Sequence, residues 1–229
     1  LDSSLPTIYY VTKEQAEGKA KSHLPAEVGK RASELNKKGL FSGDDCTTTP
    51  VQTGKELALL VGLGEQKDFT LTSLRCTVRC SLLSQFLKNA EHVNIFTEGM
   101  SREELVAVAE GVLLGSYAWK KYITKDGKNL PKDKVVHIAG DAKLLERPAL
   151  ICSNVNYARD MVNENADVMN SLAVEKLVRE SLRGARNVRL EVLGRREMQA
   201  KGLRLHLAVN SGSRFEPRLI IVKYSNGPE

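Results

Sequence analysis

Long apolar stretches are absent from this chain of 229 residues. No run approaches the roughly 18 apolar residues that a membrane-spanning helix needs. The N-terminal LDSSLPTIYY has no basic segment followed by an apolar core, so it is not typical of a secretory signal. The chain begins without Met, and we expect a processed product or part of a longer protein. These absences predict a soluble globular protein with no membrane partner.

Cysteine is also scarce, because Cys46, Cys76, Cys80 and Cys152 are the only four. A chain of this size with four cysteines is not built around a disulfide framework. Cys76 and Cys80 are four residues apart on a predicted helix and therefore share a face. A zinc site would need about two further ligands, and no His or Cys has suitable spacing. We predict free thiols, buried or half-buried, in a reducing compartment.

Short catalytic motifs are missing as well. The four histidines share no metal-binding spacing: they are His23, His92, His137 and His206. No GxxxxGK[ST] phosphate loop occurs. Gly62 and Gly64 follow a predicted strand, but the dinucleotide fingerprint requires a third glycine where Lys67 stands. The glycine pair therefore predicts a tight turn between a strand and a helix.

Acidic residues are outnumbered by basic ones, which gives a formal net charge of +6. The basic residues are densest in the second half of the chain: Arg183, Arg186, Arg189, Arg195, Arg196, Lys201 and Arg204. They span several predicted elements, whereas a nucleic-acid surface needs its charge on one face. Aromatic residues do not interleave with them, so stacking on single strands is not indicated. A solvated basic surface is the simpler interpretation.

Strands and helices alternate over the first 145 residues, which predicts a layered α/β domain. The predicted strands are 7–11, 55–64, 92–96 and 135–139, and the predicted helices are 27–40, 72–88 and 101 to about 117. Residues 55–64 contain the continuous apolar run LALLVGLG, as expected of a strand that helices cover on both faces. Ser73 is a plausible helix cap, and Ser101 with Glu104 forms a capping box. The composition of residues 44–50 predicts a polar turn.

Residues 146–229 predict a second α/β domain, after a loop that contains Pro148. Helices are predicted at 149–162, 171–183 and 195–200, and strands at 188–193, 203–209 and 218–224. The 171–183 helix has Asn170 or Ser171 as its cap. The small polar segment 210–213 predicts a turn between two strands. The chain ends on an apolar strand with nothing after it to cover it, which suggests truncation.

One polar cluster in this part could carry chemistry. On a helix, Arg159 and Asn163 share one face, and Asp160 and Glu164 share another. Two carboxylates at this spacing can hold a metal or act as acid and base. They can equally orient neighbouring backbone groups. We favour the structural interpretation because the sequence shows no third ligand nearby.

Several segments resemble the leucine aminopeptidase (cytosol aminopeptidase) family. VNYARDMVNENADVMNS resembles the family's VNLARDLVNEPANVLTP, and EGVLLGSYAWKKY resembles EGALLGSYRFDKY. LALLVGLGE, LEVLGRREMQAKGL and FEPRLIIVKYSNG resemble three further family segments. Their order and spacing are more specific than any one of them. Asn165, Asp167 and the pair Asn170–Ser171 depart from the family pattern, which suggests a divergent branch.

The resemblance implies a fold and an activity. It implies a macro-like mixed-sheet N-terminal domain, residues 1–145, and the truncated start of an α/β catalytic domain, residues 146–229. Family members are cytoplasmic homo-hexamers that release N-terminal amino acids from peptides. They use two divalent metals, usually zinc, manganese or magnesium, held by Lys, Asp and Glu, with a catalytic Lys and an Arg.

The family's metal-binding blocks, GKGxTFDSGG-like and NTDAEGR-like, do not occur in this sequence. We therefore assign no catalytic, cofactor-binding or metal residue, expect no metal in this chain, and predict that it is inactive alone. The alternative is a non-catalytic structural or nucleic-acid-binding protein derived from the same family. ADP-ribose binding, which a macro-like fold would invite, is disfavoured because no further Gly-rich phosphate loop is present.

Overall fold

The computed structural model describes residues 2, 4–54, 56–123 and 133–227. It divides the chain into two compact units, Leu1–Tyr157 and Ala158–Glu229. The boundary that the sequence predicts, after residue 145, lies inside a helix that covers Ala142–Asn163. That boundary stays a prediction. Among the described residues, no helix combines the length and the apolar character that crossing a membrane requires.

The first unit is built on one mixed sheet of five strands, in the order β2-β3-β1-β4-β5. The strands are β1 (Thr7–Val11), β2 (Thr48–Thr53), β3 (Glu56–Gly62), β4 (His92–Ile95) and β5 (Val135–Ile138). Strand β2 runs antiparallel to β3, and the other neighbours are parallel. A parallel sheet of this kind needs helices on its faces, so the mixed α/β fold expected from the sequence is confirmed.

Four helices belong to this sheet: α1 (Lys13–Ala16), α2 (Ala26–Lys37), α3 (Leu71–Leu82) and α4 (Arg102–Gly115). Side chains alternate along β1, so Ile8 and Tyr10 join one buried cluster while Tyr9 and Val11 join another. The first cluster contains apolar residues of α3 and α4, and the second contains those of α2. The sheet is therefore buried on both faces, as the apolar run of β3 predicted.

The helix caps confirm one sequence prediction and correct another. Ser101 and Glu104 form the predicted capping box at the start of α4. Helix α3 is capped by Thr70, whose hydroxyl accepts from the Ser73 N–H at 3.0 Å, so Ser73 is the third residue of the helix and not its cap. Thr70 is the better cap because its extended backbone places the hydroxyl over the first turn.

Strand β2 is an element that the sequence does not predict, because the composition of residues 44–50 favours a polar turn. It lies at the edge of the sheet, and six residue pairs join it to β3. Pro50 has no N–H to donate, which an edge strand tolerates. Only Val51 of this strand is buried, so the alternation of buried and exposed residues that marks a strand is weak here.

Gly62 ends β3 where another segment of backbone crosses it. A Cβ added there would lie 2.0 Å from the Asp44 carbonyl oxygen and 2.6 Å from the Gly43 carbonyl carbon. Backbone atoms cannot move aside cheaply, so we expect Gly62→Ala to lower the free energy of unfolding by about 1–3 kcal/mol. Urea unfolding followed by circular dichroism measures this.

Gly29 provides the matched control for Gly62. It lies inside α2, and an added Cβ would meet nothing within 4 Å. Gly29→Ala should raise stability by about 0.5–1 kcal/mol, because alanine has the higher helix propensity. Equal effects of the two substitutions would contradict the steric argument.

The second unit contains one antiparallel pair of strands and several helices. Its elements are the end of α5 (Ala142–Asn163), α6 (Ser171–Ser181), β6 (Val188–Leu193), α7 (Arg195–Ala200), α8 (Arg204–Asn210) and β7 (Leu219–Tyr224). Six residue pairs join β6 to β7. The predicted strands 188–193 and 218–224 and the short helix at 195–200 are confirmed.

Two predictions for this part of the chain are wrong. Residues 203–209, predicted as a strand, form helix α8, and 210–213 therefore come after a helix instead of joining two strands. The segment RLHLAV alternates like a strand, but Arg, Leu and Ala are strong helix formers, and that preference wins here. Pro148, expected in a loop, lies inside α5, where it removes one backbone hydrogen bond without ending the helix.

Candidate functional site

The polar cluster predicted from the sequence lies at the end of α5. Arg159, Asp160 and Asn163 belong to its last turns, and Glu164 is the first residue beyond it. One Glu164 carboxylate oxygen accepts a hydrogen bond from the Asn165 N–H at 3.0 Å. No group of three or more His, Cys, Asp or Glu in the described ranges could hold a metal. Glu164 thus contacts the backbone of the next residue, and the structural interpretation of the cluster stays a prediction.

The residues that depart from the family pattern connect this segment to the rest of the second unit. Asn170 caps α6, since its side-chain oxygen accepts from the N–H groups of Leu172 and Ala173 at 3.1 and 3.2 Å. Asp167 pairs with Arg214 at 2.6 Å, and the Ser171 hydroxyl donates to the Glu216 carbonyl at 2.6 Å. These positions therefore contribute a helix cap, an ion pair and a backbone contact to the second unit.

A half-buried carboxylate joins α6 to the start of β7. Glu175 accepts hydrogen bonds from the Arg179 Nε and Nη2 at 2.9 and 2.8 Å, and from the Arg218 Nε at 2.8 Å. Its side chain is 20% exposed. The hydrogen bond from Arg179, followed by that from Arg218, holds the pKa of Glu175 below its usual value. This charge cluster ties α6 to the residue that precedes β7.

The lowered pKa of Glu175 predicts how acid affects the second unit. The folded protein prefers the ionised carboxylate, so this stabilisation is present above the carboxyl's ordinary pKa and is lost as the pH falls through the lower folded value. Between about pH 6 and pH 3, the melting temperature of Glu175→Gln should fall less than that of the unchanged protein.

Glu180→Gln is the control for this pH series. Glu180 lies on the same helix, but its nearest cation, Lys176, is 4.0 Å away and the pair is exposed. The Glu180→Gln substitution should leave the dependence of the melting temperature on pH unchanged, because exposed ion pairs contribute little to stability. Parallel profiles for the Glu175→Gln variant and the unchanged protein would contradict the role assigned to Glu175.

The basic residues of the second unit are distributed over several elements. Arg183 and Arg186 lie between α6 and β6, Arg189 lies on β6, and Arg196 lies on α7, all exposed. Arg195 is paired with Glu216 at 3.1 Å. The basic residues are thus spread over several elements of the structure, as they are along the sequence.

A cleft in the first unit lies at the carboxyl ends of its parallel strands. Strand β3 lies on one side of β1, and β4, the next strand along the chain, lies on the other side. Open α/β sheets bind ligands where the strand order reverses in this way. The cleft encloses about 280 Å³. Residues that follow three of these strands line the cleft. Gln15 and Lys21 follow β1, Leu63 and Phe69 follow β3, and Phe96 and Glu98 follow β4. Its charges are mixed and define no one ligand class.

The glycine turn beside this cleft does not hold phosphate. The N–H groups of Gly62, Leu63 and Gly64 donate to the carbonyls of Thr47, Val11 and Gly43, each at 2.9 Å. Gly64 has a φ of +77°, which is the region that favours glycine. With all three donors used, no amide remains to cradle a phosphate, and the predicted tight turn is confirmed.

The structure brings together two pairs of side chains that sequence spacing does not reveal. His92 and His137 lie on neighbouring strands, with their Nδ1 and Nε2 atoms 3.1 Å apart. Cys80 lies beside Cys46, with the two sulfur atoms 2.7 Å apart, while Cys76 is exposed. Both contacts depend on strand and loop pairing across more than thirty residues of sequence, so no local pattern could have shown them.

The fold and the segment order define the class of protein. The family model described as "Cytosol aminopeptidase family, N-terminal domain" matches residues 8–126, and the corresponding catalytic-domain model matches residues 156–229. The first of these alone covers more than half of the chain. The chain belongs to the cytosol aminopeptidase family, as its motifs predicted.

Curated relatives and solved structures agree with this assignment. A probable cytosol aminopeptidase of Protochlamydia amoebophila is 28% identical over 74% of this chain and 36% of its own length. One from Tropheryma whipplei is 29% identical over 89% of this chain and 42% of its own length. A tomato leucine aminopeptidase variant has a TM-score of 0.73 at 18% identity, over 100% of this chain and 49% of that structure.

A further similar structure carries a metal. The bottromycin maturation enzyme BotP in complex with Mn has a TM-score of 0.70 at 20% identity, over 98% of this chain and 46% of that structure. At these identities the structures show a shared fold. This chain therefore spans about two fifths of the curated relatives above and about half of the similar structures.

Proposed function

We propose that this chain is the N-terminal domain and the first part of the catalytic domain of a leucyl aminopeptidase. That enzyme is a metal-dependent exopeptidase that releases N-terminal amino acids, leucine among them, from peptides. The observation that carries the proposal is the match of both family models in order, at residues 8–126 and 156–229. We divide the domains after residue 145, as the sequence predicted.

The residues that the structure describes do not fit a two-metal site. No group of three or more His, Cys, Asp or Glu among residues 2, 4–54, 56–123 and 133–227 could hold an ion. The sequence also lacks both metal-binding blocks. We therefore assign no step of the reaction to these residues, and we place the two divalent metals, zinc or manganese, in the part of the enzyme beyond residue 229.

The second unit contributes strands that would support the metal-binding part of the enzyme. Strand β7 is the last described element, and β6 pairs with it along its whole length. Glu175 and Arg218 join the beginning of β7 to α6 with a 2.8 Å ion pair. A rigid strand positions the residues after it more precisely than a loop does. These strands support a positioning role for the described part.

Three further properties belong to the same proposal. We assign the first unit a macro-like fold, whose mixed five-stranded sheet is consistent with that description. We expect a homo-hexamer in the complete enzyme, because the family resemblance implies one. A cytoplasmic location would agree with the names of the curated relatives and with a reducing compartment.

The proposal is tested by the metal dependence of peptide hydrolysis. The protein extended through the two metal-binding blocks should release p-nitroaniline from leucine p-nitroanilide when Mn²⁺ is added. A chelator should abolish the release, and Mn²⁺ or Zn²⁺ should restore it. Hydrolysis that a chelator leaves unchanged would contradict a metal-dependent mechanism.

The alternative is a non-catalytic structural or nucleic-acid-binding protein derived from the family. Nucleic-acid binding would rest on the basic residues of the second unit, and its affinity should fall steeply as salt increases. A downstream sequence without the two metal-binding blocks would favour this alternative. The absence of binding even at low salt would leave only the structural role.

A further inference from the structure

Cys46 and Cys80 lie next to each other in the first unit although 34 positions separate them in sequence. Their sulfur atoms are 2.7 Å apart, which is closer than van der Waals contact between two unbonded sulfurs. Both side chains are half-buried, whereas Cys76 is exposed and Cys152 is buried. The pair therefore combines direct contact between two thiols with partial access from solvent.

Two sets of contacts hold Cys46 in this position. Its N–H donates to the Gly62 carbonyl at 3.1 Å, which ties the preceding loop to the end of β3. Asp45 accepts a hydrogen bond from the Thr77 hydroxyl of α3 at 2.7 Å. Cys46 itself has a φ of 59°, an uncommon conformation for a residue other than glycine. These contacts hold the Cys46 backbone at the end of β3 and the preceding Asp45 against α3.

We infer that Cys46 and Cys80 form an oxidisable dithiol, a modification site that peroxide converts into a disulfide between the loop before β2 and helix α3. The inference goes beyond the proposed function and does not depend on it. It also differs from the pairing that helical spacing would suggest, between Cys76 and Cys80.

The chemistry requires one peroxide molecule and both thiols. The Cys80 thiolate attacks a peroxide oxygen, which gives a sulfenic acid on Cys80 and releases hydroxide. The Cys46 sulfur then attacks the Cys80 sulfur, the S–O bond breaks, and the oxygen leaves as water. In total, two thiols and one hydrogen peroxide give one disulfide and two waters.

The order of these steps is set by the surroundings of Cys46. Burial, and then its contact with Cys80, raise the pKa of the Cys46 thiol to about 12. The thiolate is the nucleophile that peroxide oxidises, so the raised pKa disfavours Cys46 as the attacking group. Its proximity to Cys80 makes it the natural resolving group.

The test uses the whole chain with Cys76→Ser, which removes the exposed thiol and leaves three of the four cysteines. The protein is treated with hydrogen peroxide, denatured and alkylated, and the alkyl groups are counted by mass spectrometry. We expect the count to fall from three to one and to return to three after reduction with a phosphine. Peptide mapping should place the link between Cys46 and Cys80, with Cys152 alkylated.

Two double variants provide the controls. Cys46→Ser and Cys80→Ser, each combined with Cys76→Ser, should form no intramolecular link. The oxidised Cys76→Ser protein should melt roughly 5 °C or more above its reduced form, because the link closes a long loop. The two double variants should show no such rise.

The inference would be overturned if three cysteines could still be alkylated after peroxide treatment. It would also be overturned if Cys80 were oxidised to sulfinic acid without forming a disulfide. A link that maps to Cys152 would overturn it equally. Because the mapping is done on the Cys76→Ser protein alone, a double variant that fails to fold does not affect the result.

Discussion

The 229-residue chain, prepared alone, is expected to release no p-nitroaniline from leucine p-nitroanilide above the uncatalysed rate, with or without Mn²⁺ or Zn²⁺. The reason is chemical: a two-metal peptidase needs its ions to activate water and to stabilise the oxyanion. The described residues bring no group of three or more metal-binding side chains together, and the sequence contains neither metal-binding block. The difference from the extended enzyme should be many orders of magnitude.

The comparison needs a control for folding, because an unfolded chain would also be inactive. Circular dichroism and a cooperative thermal transition should show that the 229-residue chain is folded. Metal-dependent hydrolysis by this folded chain, at a rate near that of the extended protein, would contradict the proposal. It would mean that the described residues contain a catalytic site.

Leu59→Ala is expected to lower the free energy of unfolding of the first unit by about 2–5 kcal/mol. Leu59 is fully buried in the middle of β3, and its register partner on β1 is Ile8, also fully buried. The truncation removes three carbons from a cluster that α3 and α4 close on one side. Total stabilities of single domains are about 5–15 kcal/mol, so this loss is a large fraction.

Leu57→Ala on the same strand is the matched control. Leu57 is two residues before Leu59 and therefore points to the same face, but it is 51% exposed. Its truncation should cost about 0.5 kcal/mol or less. Urea unfolding midpoints of both variants measure the two values. A cost at Leu59 no larger than that at Leu57 would contradict the placement of β3 in the core.

Local patterns predicted most of the elements whose hydrophobic residues are regularly spaced. The apolar run of β3, the capping box of Ser101 and Glu104, and strand β6 are all encoded by neighbouring residues. The errors have two causes. Strand β2 depends on pairing with β3, and helix α8 has a strand-like alternation in which Leu205 and Val209 are exposed. At β2 the tertiary context decides, and at α8 the helix propensity of the residues decides, whereas periodicity decides neither.

The candidate sites divide in the same way. The segment from Tyr157 to Glu164 is recognisable because its residues are contiguous, and the structure adds the hydrogen bond from the Asn165 N–H to Glu164. The contact between Cys46 and Cys80 could not be predicted, because it depends on how a loop crosses the end of β3. Spacing along the helix showed only that Cys76 and Cys80 share a face.

The intact mass of the protein as its source cell makes it, measured together with its hydrolysis of leucine p-nitroanilide, tests the central proposal most directly. These 229 residues have a mass of 25.3 kDa and span 36–42% of the two curated relatives above. A mass of roughly twice 25.3 kDa or more, with metal-dependent hydrolysis, is the result we predict. A mass of 25.3 kDa without hydrolysis would contradict the proposal that these residues belong to an aminopeptidase.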